Sequence, residues 1–449
     1  MPIIRSLLLV ATFALPSVAL SAPKVLGTSP DGFLSIDKQN NLWGTNKTEG
    51  AYGQRIVKFE RNGDGFIRTA YTSSLVKALK PKGSQVQHNV KGRIDQVWPL
   101  KDGNVLFMAD VLGKGFLYKL NTKTNRVGNN KRLYNNRQAV LNVGERFDPV
   151  LKKKVHYKDV RALHQRSLLE ATVAGKTVLF FAEYNVNHQR KPGGAGDAVA
   201  LWKSTDMGDT WIKVVEWNLK GKHVISHIHG LKQNPYNGWI YILVGDSDKE
   251  SGIIAWDGKS KPLPDNMPLA KIGLGVNYPG WRALTGSAVR TGDIVFTRKH
   301  CIWLPDYEPK TLGETVFGQQ ANHDLTKLKA TSPIQYQRGS SPILAQTDAA
   351  GIVYWISYRS TANNGAYQAG GTGYLSRERI HVWTSEDEGS TWQAPIPIDI
   401  YNAYAAVPQN MMLTPWNTLI VGSRGLVFNR KASYTGSSVS IQLSKRRYN

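Results

Sequence analysis

Two histidines stand two residues apart in His227-Ile228-His229, with Gly230 directly after them, and the next apolar run closes on Gly245-Asp246. On an extended strand residues i and i+2 share a face, so both imidazoles project to one side and Ile228 to the other. A same-face pair of this kind can hold a divalent metal, or supply a base beside an orienting group. Asp246 and Glu250 follow that apolar run, and Glu183-Tyr184 close an earlier one. If these strands are neighbours, His229, His227, Tyr184, Glu183 and Asp246 meet at one place. His164 and Arg166, in Arg161-Ala-Leu-His164-Gln-Arg166, add an imidazole and a guanidinium, and Arg282 beside Trp281 adds another cation with an aromatic plate.

These residue types serve two reactions on sugars. Hydrolysis of a glycosidic bond needs two carboxyl groups flanking it, one of them held protonated, and Glu183, Asp246 and Glu250 are the candidates. Elimination next to a uronate needs a base for the proton α to the carboxyl, drawn from His164 or Tyr184. It also needs a cation to stabilise the charge that develops, drawn from Arg166 or Arg282. Arg166, Glu250 and Trp281 are the expected substrate contacts. A third possibility is a module that binds glycan or a partner protein without chemistry, stacking sugars on aromatic side chains at its mouth.

The elements that must position these residues are short strands. Phe33-Leu-Ser-Ile36 faces Asn41-Leu-Trp43 across Asp37 to Asn40, and Gln96 to Leu100 faces Asn104 to Met108 across Lys101-Asp102-Gly103, a strong hairpin signal. The same grammar recurs at Phe116 to Leu120, Thr177 to Tyr184, Trp239 to Leu243, Gly351 to Tyr358 and Thr418 to Val421. Helical periodicity is scarce, with one short helix expected over Ser73 to Lys80. Many short strands with regular turns indicate an all-β fold. About 427 residues after removal of a leader is large for one sandwich, whereas propeller blades of ~40–60 residues use the whole chain. The expectation is therefore a single six- or seven-bladed β-propeller over 23–449. Long polar loops at 187–197 and 361–373 are expected at one mouth of its channel.

Two octets sharpen this reading. Ser204-Thr-Asp206-Met-Gly208-Asp-Thr210-Trp211 and Ser385-Glu-Asp387-Glu-Gly389-Ser-Thr391-Trp392 both fit S-x-D-x-G-x-T-W, the Asp box. In it Ser and Asp side chains bond turn backbone, Gly supplies positive φ, and Trp begins the return strand. Their separation, from 204 to 385, suits about three blades of ~60 residues. With Glu183-Tyr184-Asn185, His227-x-His229-Gly230, Asn234-Pro235-Tyr236, Gly245-Asp246, Glu250-Ser251-Gly252, Trp281-Arg282-Ala283, Phe296-Thr297 and Ile302-Trp303, the chain resembles bacterial sialidase-like proteins with Asp-box (BNR) repeats, a group of glycosyl hydrolase type. That resemblance covers about 175–310 and implies a propeller. It also implies that Asp206 and Asp387 are structural. The group commonly has Asp-Pro-Tyr where this chain has Asn234-Pro235-Tyr236. The Arg-Ile-Pro motif of true sialidases is missing, so sialidase activity is not expected.

Composition bounds the setting. Residues 1–22 read as a secretory signal, with Arg5 ahead of the apolar Leu7 to Leu15 and a small-residue cleavage site at Ala19-Leu-Ser-Ala22. No later run approaches the ~20 apolar residues of a membrane span. The expectation is a secreted or periplasmic protein. The formal charge of +24 falls by one with Arg5. Such a surface favours polyanions, and in that compartment the expected partner is an anionic polysaccharide or glycan, not nucleic acid. Cys301, between His300 and Ile302, is the single cysteine and is expected to be a buried thiol. Without zinc-finger spacing or a phosphate-binding Gly-rich loop, no cofactor is expected beyond a divalent ion at His227/His229.

Overall fold

The computed structural model describes residues 24–29, 32–45, 55–62, 65–70, 93–111, 114–129, 138–141, 145–148, 153–156, 165–184, 198–219, 222–306, 315–335, 340–348, 350–359, 379–393, 396–399, 406–413, 418–425 and 438–442, with Thr72, Leu75, Leu133 and Ala162. The expected signal over 1–22, the helix over Ser73 to Lys80 and the loops 187–197 and 361–373 lie outside these residues, as does His164.

Among the described residues the strands form seven four-stranded antiparallel sheets, six of them meanders in chain order. Blade 1 spans 32–70, blade 2 93–127, blade 3 168–217, blade 4 228–285, blade 5 295–335 and blade 6 340–399. Blade 7 is built from Ala406–Leu413, Thr418–Gly425 and Ser438–Gln442, with Lys24–Ser29 as its outermost strand. Lys24 pairs with Gln442 and Ser29 with Ser438, so a strand from the start of the chain completes the last sheet. The ring is thereby closed by ladder hydrogen bonds. The inner strand Ala406–Leu413 of blade 7 packs against the first strands of blades 6 and 1, and the first strands of blades 1 and 2, 3 and 4, and 5 and 6 pack against each other in the same way. An additional hairpin, Glu145–Asp148 with Lys153–His156, stands between blades 2 and 3. The fold is an all-β propeller.

The sheet of blade 4 is covered on both faces, which explains its near-continuous apolar runs. Ile240–Val244, the second strand of blade 4, is buried at every position. Its alternate residues serve two cores: Ile240, Ile242 and Val244 pack with blade 3, and Tyr241 and Leu243 with blade 5. At about 1.5–3 kcal/mol for each fully buried large aliphatic side chain, it is burial between blades that stabilises the ring. Helix is confined, among the described residues, to Leu269–Ile272 and short 3-10 turns. The apolar strands leave no stripe at helical period for one to bury.

The two octets make the same turn in blades 3 and 6, three blades apart. Asp206 Oδ1 accepts from Ser204 Oγ (2.7 Å) and Thr210 N (2.9 Å), Asp206 Oδ2 accepts from Thr210 Oγ1 (2.5 Å), and Ser204 Oγ accepts from Gly208 N (2.8 Å). Asp387 repeats the pattern with Ser385 and Thr391, at 2.6–2.8 Å. Each glycine packs on the preceding blade: a Cβ on Gly208 would come 3.0 Å from Leu106, and one on Gly389 2.8 Å from Ile302. Both carboxylates are therefore spent on turn geometry.

Candidate functional site

The inner strand of blade 4, Ile228–Gln233, begins with a bulge: Ile228 pairs with Val244 and Gly230 with Leu243, so His229 has no direct partner. Bulges re-aim side chains locally, and here His229 and His227 converge. Their rings lie 4.8 Å apart at 31°. Equivalent irregularities occur in the inner strands of blades 1, 2, 6 and 7, so the bulge belongs to the propeller and not to this site alone. Ile228 points into the apolar core.

Asp246 reaches both imidazoles from the end of the second strand. Its Oδ1 lies 2.9 Å from His227 Nε2 and 3.0 Å from His229 Nε2, and the two Nε2 atoms are 2.9 Å apart. The turn that carries it is tightly specified. Gly245 adopts φ +85°, and a Cβ there would come 2.1 Å from the Glu250 carbonyl oxygen. Gly245 N donates to His227 O (3.1 Å), which ties the turn to the inner strand.

Tyr184 arrives from blade 3. Ile228 N donates to Glu183 O (3.4 Å), joining the end of blade 3's second strand to blade 4. The Tyr184 ring then lies 4.0 Å from the His227 ring at 37°. Tyr184 is half-buried and Asp246 36% exposed, whereas His227 and His229 are about 5% exposed. The tyrosine and the carboxylate are thus the groups that solvent reaches, with the histidines beneath.

Burial and charge set the protonation preferences. Burial pushes the His227 pKa down, against the pull of Asp246. For His229 burial acts the same way, but hydrogen bonding to Asp246 and the charges of Asp306 and Asp246 outweigh it and raise its pKa. Burial would raise Asp246, yet both histidines hold it well below the usual carboxylate range. His229 Nδ1 lies 2.8 Å from Thr291 O. A carbonyl only accepts, so Nδ1 carries the hydrogen and the tautomer is fixed.

The other expected site residues are placed differently. Glu183 is buried, its carboxylate accepting from Ala200 N and Trp202 Nε1 at 3.0 Å each, so it braces blade 3. Glu250 is also buried. It accepts from Ser226 Oγ (2.9 Å) and Ser247 Oγ (3.1 Å) and pairs with His223 Nε2 (2.8 Å), so it holds the 245–251 turn. Arg166 forms a short ion pair with Asp293, which also binds Lys232 Nζ (2.9 Å) and Ala345 N (2.7 Å). That knot joins blades 3 to 6 from the inside and leaves Arg166 with only a tenth of its side chain exposed. Trp281, expected as a stacking surface, is sealed in the core against Trp256, ring centroids 4.7 Å apart. Arg282 lies on the outermost strand of blade 4, three strand spacings or ~14 Å from the inner one. It bonds Asp324 O (2.8 Å) and covers Trp239. Arg166 packs against Gly230, next to His229, where an added Cβ would stand 3.1 Å from its Nε, and is ion-paired there with Asp293; Arg282 is not brought to the histidines, because Asp324 and Trp239 claim it. Cys301 is buried, its thiol pushed up to about 12 by that burial.

The cluster also includes a group that sequence did not point to, the Thr291 carbonyl. A backbone acceptor on the connection to blade 5 leaves no signature in residue type.

No described sequence family matches the chain, and no curated protein matches it. Among solved structures it is similar to an ulvan lyase, with 11% identity over 95% of each chain and a TM-score of 0.45. It is also similar to the periplasmic gluconolactonase of Pseudomonas aeruginosa, with 12% identity, 90% of this chain and 99% of that one covered, and a TM-score of 0.43. The xyloglucanase of Xanthomonas campestris aligns with 89% of this chain and 52% of its own, at 12% identity and a TM-score of 0.43, so this chain spans about half its length. The propeller assignment rests on the sheet order of the chain itself.

Proposed function

We propose that the protein is an exported carbohydrate-active enzyme of the sialidase-like Asp-box type that cleaves an acidic polysaccharide beside a uronate by β-elimination. The observation that carries this reading is the half-buried Tyr184 ring against His227, at the rim of a site where the partly exposed Asp246 carboxylate contacts both histidines. Hydrolysis needs two carboxyl groups free to act across the bond. Glu183 and Glu250 are buried and bonded within their own blades, so a second free carboxyl is lacking among the three acids considered. Elimination needs a proton carrier in contact with substrate. The Tyr184 hydroxyl, its own proton first passed to solvent, takes the proton α to the uronate carboxyl; the electron pair forms the new C=C bond, the C–O glycosidic bond breaks, and Tyr184 returns the proton to the leaving glycosidic oxygen. The formal charge of +24 raises the local concentration of a polyanion. The signal-like segment 1–22 supports export to the periplasm or the medium.

The test incubates the protein with uronate-containing and neutral polysaccharides, recording reducing ends and ultraviolet absorbance together. Elimination raises both on a uronate substrate, and Tyr184→Phe, which keeps the ring and removes the hydroxyl, lowers the rate ~10²–10⁴-fold. Reducing ends without absorbance mean hydrolysis. Binding with neither product leaves a glycan-binding module and refutes the enzyme reading.

A further inference from the structure

We propose that His227, His229 and Asp246 form the protein face of a divalent metal site open toward the channel mouth. The argument begins with counting hydrogens. Nε2 of His227, Nε2 of His229 and Oδ1 of Asp246 lie 2.9–3.0 Å from one another on all three edges. His229 Nδ1 donates to Thr291 O, so the neutral ring turns a lone pair inward at Nε2. One hydrogen inside the triangle, on His227, leaves the His229 lone pair facing the carboxylate oxygen. The same hydrogen moved to His229 leaves the His227 lone pair facing that oxygen. Two hydrogens put two N–H groups against each other across the 2.9 Å edge. With the carboxylate ionised, every arrangement of hydrogens on the two rings leaves at least one mismatched edge, whereas a cation above the triangle satisfies all three atoms at once.

The dimensions fit a particular coordination. Three cis ligands of a six-coordinate ion at ~2.1 Å stand ~3.0 Å apart, and tetrahedral ligands at the same length stand ~3.4 Å apart. The observed edges match the first. Two imidazoles and one carboxylate on one face of an octahedron leave the opposite face for water or substrate oxygens. The Thr291 carbonyl is the outer partner a ligating imidazole ordinarily has, orienting the ring and raising its basicity. Asp246, 36% exposed, is the one of the three ligands that solvent reaches readily, the two imidazoles being buried. Imidazole with carboxylate suits Mn²⁺, Co²⁺ or Zn²⁺ better than Ca²⁺, which takes oxygen ligands.

The ion would also supply positive charge for a uronate carboxylate, since the charge of Arg166, which packs beside His229 at Gly230, is countered by Asp293, and Arg282 is held by Asp324. That role rests on the elimination reading; the binding does not. Full-length protein is stripped with a chelator, dialysed, and titrated with Mn²⁺, Co²⁺, Zn²⁺ and Mg²⁺ by calorimetry and thermal melting. One transition-metal ion per chain is expected, with a raised melting temperature and the weak visible absorption of six-coordinate Co²⁺. His229→Gln and Asp246→Asn, each checked for folding by circular dichroism, should weaken binding at least tenfold. No binding by folded wild type, or equal binding by the folded variants, overturns the site. Metal binding without polysaccharide turnover keeps this inference and refutes elimination. Turnover that persists in chelator, with no ion bound at any concentration, does the reverse.

Discussion

Gly245→Ala isolates the turn that delivers Asp246, and Gly103→Ala is its built-in control. Both glycines adopt φ +85°, so alanine meets the same left-handed backbone strain at each, about 1–2 kcal/mol. Their surroundings differ. Nothing lies within 4 Å of a Cβ on Gly103, whereas a Cβ on Gly245 would stand 2.1 Å from Glu250 O, 2.4 Å from its carbonyl carbon and 2.7 Å from Ser251 N. Those are backbone atoms, so no rotamer change relieves the clash; the 245–251 turn must shift. Overpacking of this kind costs about 1–3 kcal/mol more. The expected order of melting temperatures is wild type, then Gly103→Ala, then Gly245→Ala. Gly245→Ala alone should also lose metal affinity and turnover, since Asp246 and Glu250 ride on the displaced turn. Differential scanning fluorimetry gives the first comparison, and cobalt titration with a polysaccharide assay gives the second. Equal melting of the two variants, or wild-type metal affinity in Gly245→Ala, would refute the reasoning.

Asp206→Ala should lower stability by about 0.5–2 kcal/mol, as loss of a capping side chain does, with turnover per folded molecule retained; abolished activity at normal melting would make Asp206 catalytic. The pKa of Asp206 is lowered from 3.8 to about 2: burial opposes the shift, but the hydrogen bonds from Thr210 and Ser204 prevail. Its contribution is therefore complete above pH 3.8 and fades as pH falls toward 2, so the melting gap between wild type and Asp206→Ala should close across that window. Asp293→Asn strips the shared partner from Arg166 and Lys232. It should cost about 3–5 kcal/mol, as breaking a buried ion pair does, measured by urea denaturation; a loss under ~1 kcal/mol would show that the central knot is solvated.

The propeller was legible in the sequence because its signals are local. Gly103 between two apolar runs marks a hairpin whatever surrounds it, and the octets at 204 and 385 encode their own turn hydrogen bonds. The pair His227 and His229 was legible too, since strand alternation puts both rings on one side. The centre of the site was not fully legible, because it depends on what blades do to one another. Tyr184 stands over His227 because a main-chain bond joins Glu183 O to Ile228 N across two blades. Arg166 and Arg282 offered the right charge for a uronate, yet Asp293 and Asp324, remote in sequence, claim them. Trp281 offered a stacking plate, and the ring of blades buried it against Trp256. Residue type and spacing fix what a side chain can do within its own strand or turn. Which partner satisfies a charge, and which face remains open to solvent, is decided only when seven sheets close on one another.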